Sequence, residues 1–211
     1  MKIITQIMIL SLIILMSGCA TSRGRIALEN SPSTEILKSN NRVVFINSVV
    51  DNRIFEIEPS KPSIPSLKNG EINDDNITSL AIARKRNSFG KALGDILLKD
   101  GQTVCSIIKS NTEQALLEKG YEIIYNKSRV TNDTIVIDVD VRQFWSWLNI
   151  GFWSLTISTE IGADIKVSKK EKKEMIHLIS SDSFQTAMGS NWITVMKQAL
   201  KNYRLELKSR F

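Results

Sequence analysis

The fold is decided by residues 133–167, which read DTIVIDVDVRQFWSWLNIGFWSLTISTEIGADIKV. Two stretches of this segment, Asp133–Trp145 and Leu155–Val167, alternate apolar and polar residues. Such alternation is the pattern of a strand that packs one face on a core. The apolar face of the first strand consists of Ile135, Ile137, Val139 and Val141. With Asn149–Gly151 as the turn, the segment predicts a β-hairpin.

The rest of the chain adds further strands and two long helices around this hairpin. Strands are predicted at Val43–Val50, Tyr121–Tyr125 and Glu174–Ser183, and helices at Thr103–Lys119 and Ser190–Lys208. Gly120 stands where a helix commonly ends in a left-handed residue. Because adjacent strands follow one another along the chain, we expect an α+β domain. It has an antiparallel sheet of about four to five strands with the two main helices packed on one face.

Residues 51–102 lack a strong pattern and hold Pro59, Pro62 and Pro65. A stretch of this length without secondary structure is uncommon in a compact domain. It is therefore either a functional excursion or a segment that hides short helices, for which Ile77–Ala83 and Ala92–Leu98 are the candidates. We expect a single domain over residues 42–211 that includes this excursion.

The N-terminus has the order of a secretory signal: a basic start at Lys2, an apolar stretch over residues 3–16, and small residues before Cys19. The sequence Leu15-Met16-Ser17-Gly18-Cys19 resembles the lipobox of bacterial lipoproteins. The resemblance implies a signal peptide over residues 1–18 and acyl chains, such as palmitate, on Cys19. A plain signal peptide or a membrane-spanning helix is the alternative, but the apolar stretch is shorter than the roughly 20 residues that a span needs.

Residues 19–41 are expected to form the lipidated N-terminus and a flexible tether, because small and polar residues follow one another without a period. In lipoproteins of the enterobacterial type, Asp after the lipidated cysteine retains the protein in the inner membrane. Ala20 resembles the exported case. The resemblance therefore implies the periplasmic face of the outer membrane, with the inner membrane as the alternative.

The net charge and the cysteine content limit which partners and which covalent bonds we expect. The net charge of +6 is mild, and no arginine-rich tract or nucleic-acid motif accompanies it. We therefore expect contact with a membrane but no nucleic-acid partner. If Cys19 carries lipid, Cys105 is alone and no internal disulfide forms. Cys105 lies in an apolar helical stretch, which favours a buried and inert thiol.

Residues that could carry catalysis do not converge in the sequence. His177 is the single histidine, and no His/Cys spacing suggests a metal ligand set. Asp138 and Asp140 share one strand face at a spacing that suits paired carboxylates, although Arg142 beside them favours a solvated face. The small basic patch Arg84–Arg86 is expected to be a solvated loop, with a contact to lipid head groups as the alternative. We expect no enzyme activity, no cofactor and no metal, with an envelope hydrolase as the lesser alternative.

One aromatic cluster at the predicted hairpin remains as a candidate contact surface. Its members are Trp145, Trp147, Leu148, Ile150, Phe152 and Trp153. Hairpin ends are normally polar, so an apolar one either folds onto the domain or contacts something else. Tryptophan is favoured at protein interfaces and at the membrane–water boundary. Under the first alternative, the covering residues come from the excursion and are Phe55, Ile57, Ile64 and Leu67.

The arrangement as a whole resembles the YajG-like bacterial lipoproteins and, more distantly, the periplasmic lipoprotein folds of the LpoB and CsgG type. The resemblance covers residues 40–207. It rests on the lipobox, on Asp51-Asn52-Arg53 after the first strand, and on the helix that closes in Glu118-Lys119-Gly120-Tyr121. It implies a binding or assembly module whose partner is an envelope protein or lipid. The alternative is an accessory lipoprotein of a lipid-transport or flagellum/envelope assembly system.

Overall fold

The computed structural model describes residues 23–29, 39–68 and 70–211. The predicted signal peptide and Cys19 lie outside the described residues. The strands are β1 Gly24–Ile26, β2 Val43–Asp51, β3 Ala81–Arg86, β4 Ala92–Leu98, β5 Glu122–Ile123, β6 Ile135–Ile150, β7 Leu155–Val167 and β8 Glu174–Phe184. The α-helices are α1 Asp75–Thr78, α2 Val104–Glu118 and α3 Gly189–Arg210, and 3-10 turns occupy Glu71–Asn73 and Lys127–Arg129.

The α+β class is confirmed, but the sheet is larger than predicted and it is mixed. Strands β6, β7 and β8 form the expected antiparallel meander. The other edge of β6 is shared by two strands that both run parallel to it: β2 along its first half and β3 along its second half. Beyond β3 lie β4 and β1, and beyond β2 lies β5, which makes eight strands in one sheet.

Three of the additional strands come from segments that the sequence interpretation placed elsewhere. The proposed short helix at Ala92–Leu98 is wrong, because this segment is β4. The one at Ile77–Ala83 is helical only at Ile77 and Thr78, where α1 ends, and β3 begins at Ala81. Apolar residues of β3 and β4 are buried between strands rather than along one helical stripe. The proposed tether over residues 19–41 is also wrong at Gly24–Ile26, which form β1 beside β4. Burial of Ile26 and Leu28 in the core favours this pairing over a flexible chain.

A β-bulge in β6 decides which face of the sheet each aromatic residue occupies. Val141 pairs with Ala163, but Gln143 pairs with Gly162, so Arg142 is an extra residue in β6. One extra residue exchanges the two faces for everything that follows it. Val141 therefore faces the helices together with Phe144, whereas Trp145 lies on the opposite face of the sheet. A side chain at residue 162 would approach Gln143 Cβ to 3.2 Å, which explains the glycine.

The two main helices pack on one face of the sheet, as predicted. The α3 helix contacts β7, β8 and α2, and the α2 helix contacts β2 and β5. Thr103 and Ser106 form a reciprocal capping box at the start of α2, and Gly120 follows its end at φ 82°. The largest buried side chains contributed by α3 are Trp192 and Tyr203. Buried side chains from both helices and the sheet form a single core cluster.

Arg53 joins the two strands that share an edge of β6. Its Nε and Nη2 donate to the two carboxylate oxygens of Asp51 at 2.8 and 2.7 Å. Its Nη1 donates to the carbonyl oxygens of Ala81 and Phe144, and Nη2 donates to that of Thr78. All five guanidinium donors are therefore used by a side chain that is fully buried. Arg53 satisfies the β6 carbonyl at the point where β2 has ended and β3 has not yet begun to pair.

Candidate functional site

Two turns at one end of the sheet present exposed apolar residues. The β6–β7 turn follows Ile150, and the β3–β4 turn follows Arg86. Ala83 pairs with Ser146 in parallel strands, so both strands reach their turns at the same end. We call the exposed apolar residues of this end the apolar tip. It consists of Phe89, Ile150, Phe152 and Trp153.

The β6–β7 turn holds two aromatic rings in the solvent. The turn is one residue longer than Asn149–Gly151 and lies further along the chain, at Gly151–Ser154. The Gly151 N–H donates to the Ser154 carbonyl oxygen at 2.9 Å and closes the turn. Phe152 and Trp153 are 89% and 83% exposed, and their rings contact edge to face with centroids 4.7 Å apart. Among the residues that the structure describes, no hydrogen bond or core contact explains two such side chains on a turn.

The β3–β4 turn adds an aromatic residue that the sequence interpretation missed. Phe89 is 93% exposed. Asn87 Oδ1 accepts hydrogen bonds from the N–H groups of Phe89 and Lys91, and Gly90 takes φ 79°. These contacts fix the turn and leave the ring outside it. The signal was present in the sequence as an aromatic residue inside an Asn-Ser-Phe-Gly turn.

A shallow cleft of about 510 Å³ separates the two turns. Phe89, Leu148 and Ile150 line its apolar side, and Glu58 and Arg86 line its polar side. Arg86 donates to the Gly90 carbonyl oxygen and to Ser66 Oγ. Partial burial lowers the pKa of Arg86, and neighbouring Arg84 lowers it further. The cleft therefore combines apolar walls with the positive charge of Arg86, which the Glu58 carboxylate only partly offsets.

Trp145 and Trp147 do not belong to the exposed surface, which corrects the predicted partner-binding set. They are 0% and 8% exposed and pack with Leu67 in a second core cluster on the outer face of the sheet. Phe55 contacts the Trp145 ring edge to face at 5.9 Å, and the Trp145 indole donates to the Pro62 carbonyl oxygen. Leu148 is partly buried against the main core. Of the predicted set, Ile150, Phe152 and Trp153 remain accessible.

The carboxylates that could have formed a catalytic pair are engaged separately. Asp138 accepts hydrogen bonds from Ser48 and Asn47 at 2.6 and 2.7 Å. Partial desolvation opposes ionisation of Asp138, but these hydrogen bonds outweigh it and lower the pKa of the carboxyl. Asp140 forms an ion pair with Arg142 at 2.5 Å. This is the solvated, hydrogen-bonded face that Arg142 suggested.

His177 and Cys105 lie apart from these residues and from each other. His177 is exposed on β8, and its Nε2 lies 2.6 Å from Glu160 Oε1. Cys105 is a free, half-buried thiol at the start of α2. Burial raises the pKa of the Cys105 thiol, and the Asp51 carboxylate raises it further. A raised pKa disfavours the reactive thiolate.

The described residues offer neither a metal-binding cluster nor a helix that could span a membrane. Among residues 23–29, 39–68 and 70–211, no group of three or more His, Cys, Asp or Glu side chains could hold a metal ion. Within the same residues, no helix has the length and apolar character needed to cross a bilayer.

Comparison with known proteins identifies structures of similar arrangement. No family model and no curated protein matches the chain. A Xanthomonas campestris protein of the DUF330 family has a TM-score of 0.47 at 13% identity, covering 88% of this chain and 91% of its own. An uncharacterized protein has a TM-score of 0.46 at 11% identity, covering 90% and 98%. A Caulobacter crescentus protein provisionally named a lipoprotein has a TM-score of 0.30 at 8% identity, covering 50% and 80%. At these scores, none of them assigns a function to this chain.

Proposed function

We propose that the protein is a lipid-anchored envelope protein that acts by binding rather than by catalysis. In this proposal Cys19 carries the acyl chains, and the domain lies on the periplasmic face of the outer membrane. The apolar tip is the surface that contacts another envelope component. The observation that carries the proposal is the exposure of Phe89, Phe152 and Trp153 on two neighbouring turns.

The energetics of exposure support a contact at this tip. An aromatic side chain buries roughly 150–250 Å² when it is covered, at about 25 cal/mol per Å². Phe152 and Trp153 forgo this stabilisation in the isolated domain, since both rings lie in water. A partner that covers them recovers it, which makes the tip a favourable binding surface.

The alternatives receive less support from the packing. An accessory role in lipid transport calls for an apolar groove between sheet and helices. That space is occupied by large buried side chains, among them Trp192, Met196 and Tyr203. A hydrolase calls for converging nucleophile, base and oxyanion donors. Asp138, Asp140 and His177 are instead each engaged with a different neighbour.

The anchor is tested by metabolic labelling with a clickable fatty acid. We expect the label on the wild-type protein and its loss in Cys19→Ala, with Cys105→Ala as the matched control that keeps it. Two or three acyl chains hold a protein at a membrane almost irreversibly, so the wild-type protein should stay with the membrane fraction. An unmodified thiol at residue 19 of the native protein would contradict the proposal.

The contact surface is tested with a photo-crosslinking amino acid placed at Phe152. Met175 on β8 is the matched control, because it is an exposed apolar residue far from the tip. We expect an adduct with another envelope component, protein or lipid, from residue 152 and none from residue 175. Equal yields at the two positions would show that the tip is not a specific surface.

A further inference from the structure

We infer that the apolar tip rests in the head-group region of the same bilayer that holds Cys19. This inference rests on the lipid anchor proposed above and adds the identity of the surface that the tip contacts. The geometric basis is the direction in which the chain enters the domain.

The chain enters the sheet from the tip end. Gly24 pairs with Ile96 and Ile26 with Leu98, so β1 runs parallel to β4. The β4 strand begins at the β3–β4 turn that carries Phe89, so Gly24 is the end of β1 that lies nearer the tip. Arg23 is already fixed there, because its Nη2 contacts Asp95 at 2.8 Å.

The distance available to the anchor is short. Cys19 precedes Arg23 by four residues, which span at most about 14 Å in any conformation. Arg23 contacts Asp95, and the four residues from Asp95 back to Lys91 rise about 13 Å towards the tip. A bilayer that holds Cys19 therefore passes close to the level of the two turns. Because β1 pairs with β4 from Gly24 onward, the spacer between Cys19 and the sheet is limited to these few residues.

The chemistry of the tip suits a bilayer surface. Tryptophan favours the membrane–water interface because its ring is apolar and its indole N–H remains hydrated. Phe89, Phe152 and Trp153 form separate points on two turns, which can enter a head-group layer without a complementary protein surface. Arg84, Arg86 and Lys91 lie around Phe89. Their acidic neighbours are Glu58 and Asp95, and Asp95 forms an ion pair with Arg84 at 3.7 Å. An excess of cations beside inserted apolar residues favours anionic phospholipid.

The protein carries its own probe for a direct test. Trp145, Trp147 and Trp192 are buried, and Trp153 alone among the four tryptophans is exposed. The mature lipoprotein is reconstituted into phosphatidylethanolamine/phosphatidylglycerol vesicles with or without bromine on the acyl chains. We expect brominated lipid to quench a fraction of the emission that disappears in Trp153→Phe, with a blue shift and protection from acrylamide.

A second tryptophan at the opposite end is the matched control. Tyr125 is exposed and follows β5, which pairs with the start of β2 and so lies far from the tip. In the variant W153F/Y125W, the exposed tryptophan should remain open to acrylamide and insensitive to brominated lipid. Equal quenching at residues 125 and 153 would overturn the inference, because both ends cannot face one bilayer.

The outcomes separate this inference from the function on which it rests. Lipidated protein in vesicles whose Trp153 stays open to acrylamide overturns the membrane contact and leaves the anchored binding module intact. Protection of Trp153 that requires added envelope protein also overturns it, in favour of a protein partner. Mass spectrometry that finds an unmodified Cys19 overturns both proposals.

Discussion

The two halves of one aromatic hairpin behave in opposite ways. At its base, Trp145 and Trp147 are covered by the segment that contains Phe55 and Leu67. Eight residues after Trp145, Trp153 is almost fully exposed. Both halves are equally aromatic in sequence, so composition does not distinguish them. The difference lies in what the rest of the chain places over each half.

The covering segment explains the division. Residues 51–80, which lack a strong sequence pattern, cross the outer face of the sheet and bring Leu67, Ile72 and Ile77 against the hairpin base. The Pro62 and Ser63 carbonyl oxygens accept hydrogen bonds from Trp145 and Gln143. The segment reaches the cleft between the turns at Glu58 and Pro59, but Phe152 and Trp153 remain exposed. Aromatic residues at the base serve stability, and those at the tip are free to serve contact.

The strongest test of this comparison is Trp145→Ala. Removing a fully buried tryptophan costs both its transfer free energy and a cavity, so we expect a loss of about 3–5 kcal/mol in the free energy of unfolding. Urea denaturation of the wild type and the variant measures it. A loss below about 1 kcal/mol would show that the hairpin base is not a core.

The next test weakens the hydrogen bonds by which Arg53 holds the covering segment in place. In Arg53→Lys the charge is kept, but three donors replace the five that bind Asp51, Ala81, Thr78 and Phe144. We expect a loss of about 2–3 kcal/mol, because buried carbonyls become unsatisfied. Greater quenching of Trp145 by acrylamide should accompany the loss. Arg142→Lys, at an exposed ion pair, is the control and should change stability little.

A third test uses pH to compare covered and uncovered side chains. Burial raises the pKa of Tyr203 to about 12, opposed in part by its hydrogen bond with Thr112. The unfolded chain ionises this tyrosine near pH 10, so the protonated native state is favoured below that value. The stabilisation is lost as pH rises from about 10 to 12, by roughly 2–3 kcal/mol. Thermal melts should show this loss in the wild type and a smaller loss in Tyr203→Phe.

The smallest effect is expected at the tip itself. Trp153→Ala removes a side chain that lies in water, so the free energy of unfolding should change by less than about 0.5 kcal/mol. The same denaturation experiment as for Trp145→Ala provides the comparison. A loss of several kcal/mol would place Trp153 in a packed structure and remove it from the contact surface.

Local signals predicted the parts of the fold that local physics controls. The α2 helix has a capping residue at Thr103, an apolar stripe and Gly120 after its end, and all three agree with the structure. The β6–β7 hairpin agrees with the alternation of apolar and polar residues in its two strands, and the neighbouring strands only enlarge the sheet around it. By contrast, β3 and β4 were misread because short apolar runs between prolines and glycines do not distinguish strand from helix.

The candidate site was predicted only in part, because local sequence patterns do not show which segments come together. Unbroken alternation would put Trp145 on the same face as Val141, but the bulge at Arg142 exchanges the faces. The consecutive polar residues Arg142 and Gln143 interrupt the alternation, but only the pairing of Gln143 with Gly162 shows that Arg142 is the extra residue. Phe89 was missed because the sequence pattern does not show that β3 pairs with β6. This pairing brings the β3–β4 turn to the same end of the sheet as the β6–β7 turn. The strand that pairs with a residue, rather than the type of that residue, decides where the residue lies in the sheet.

The amino-acid sequence by itself determined the α+β class, the two long helices and the central hairpin, since periodicity, caps and turn residues act within a few residues of the chain. It also supplied the aromatic stretch and the cysteine on which the proposed anchor depends. Only the tertiary structure decided that Trp145 and Trp147 are core and that Phe89 joins Phe152 and Trp153 at one end. It also decided that β1 enters from that end. These outcomes depend on contacts between residues far apart in the chain, because a side chain is buried only where another segment packs over it.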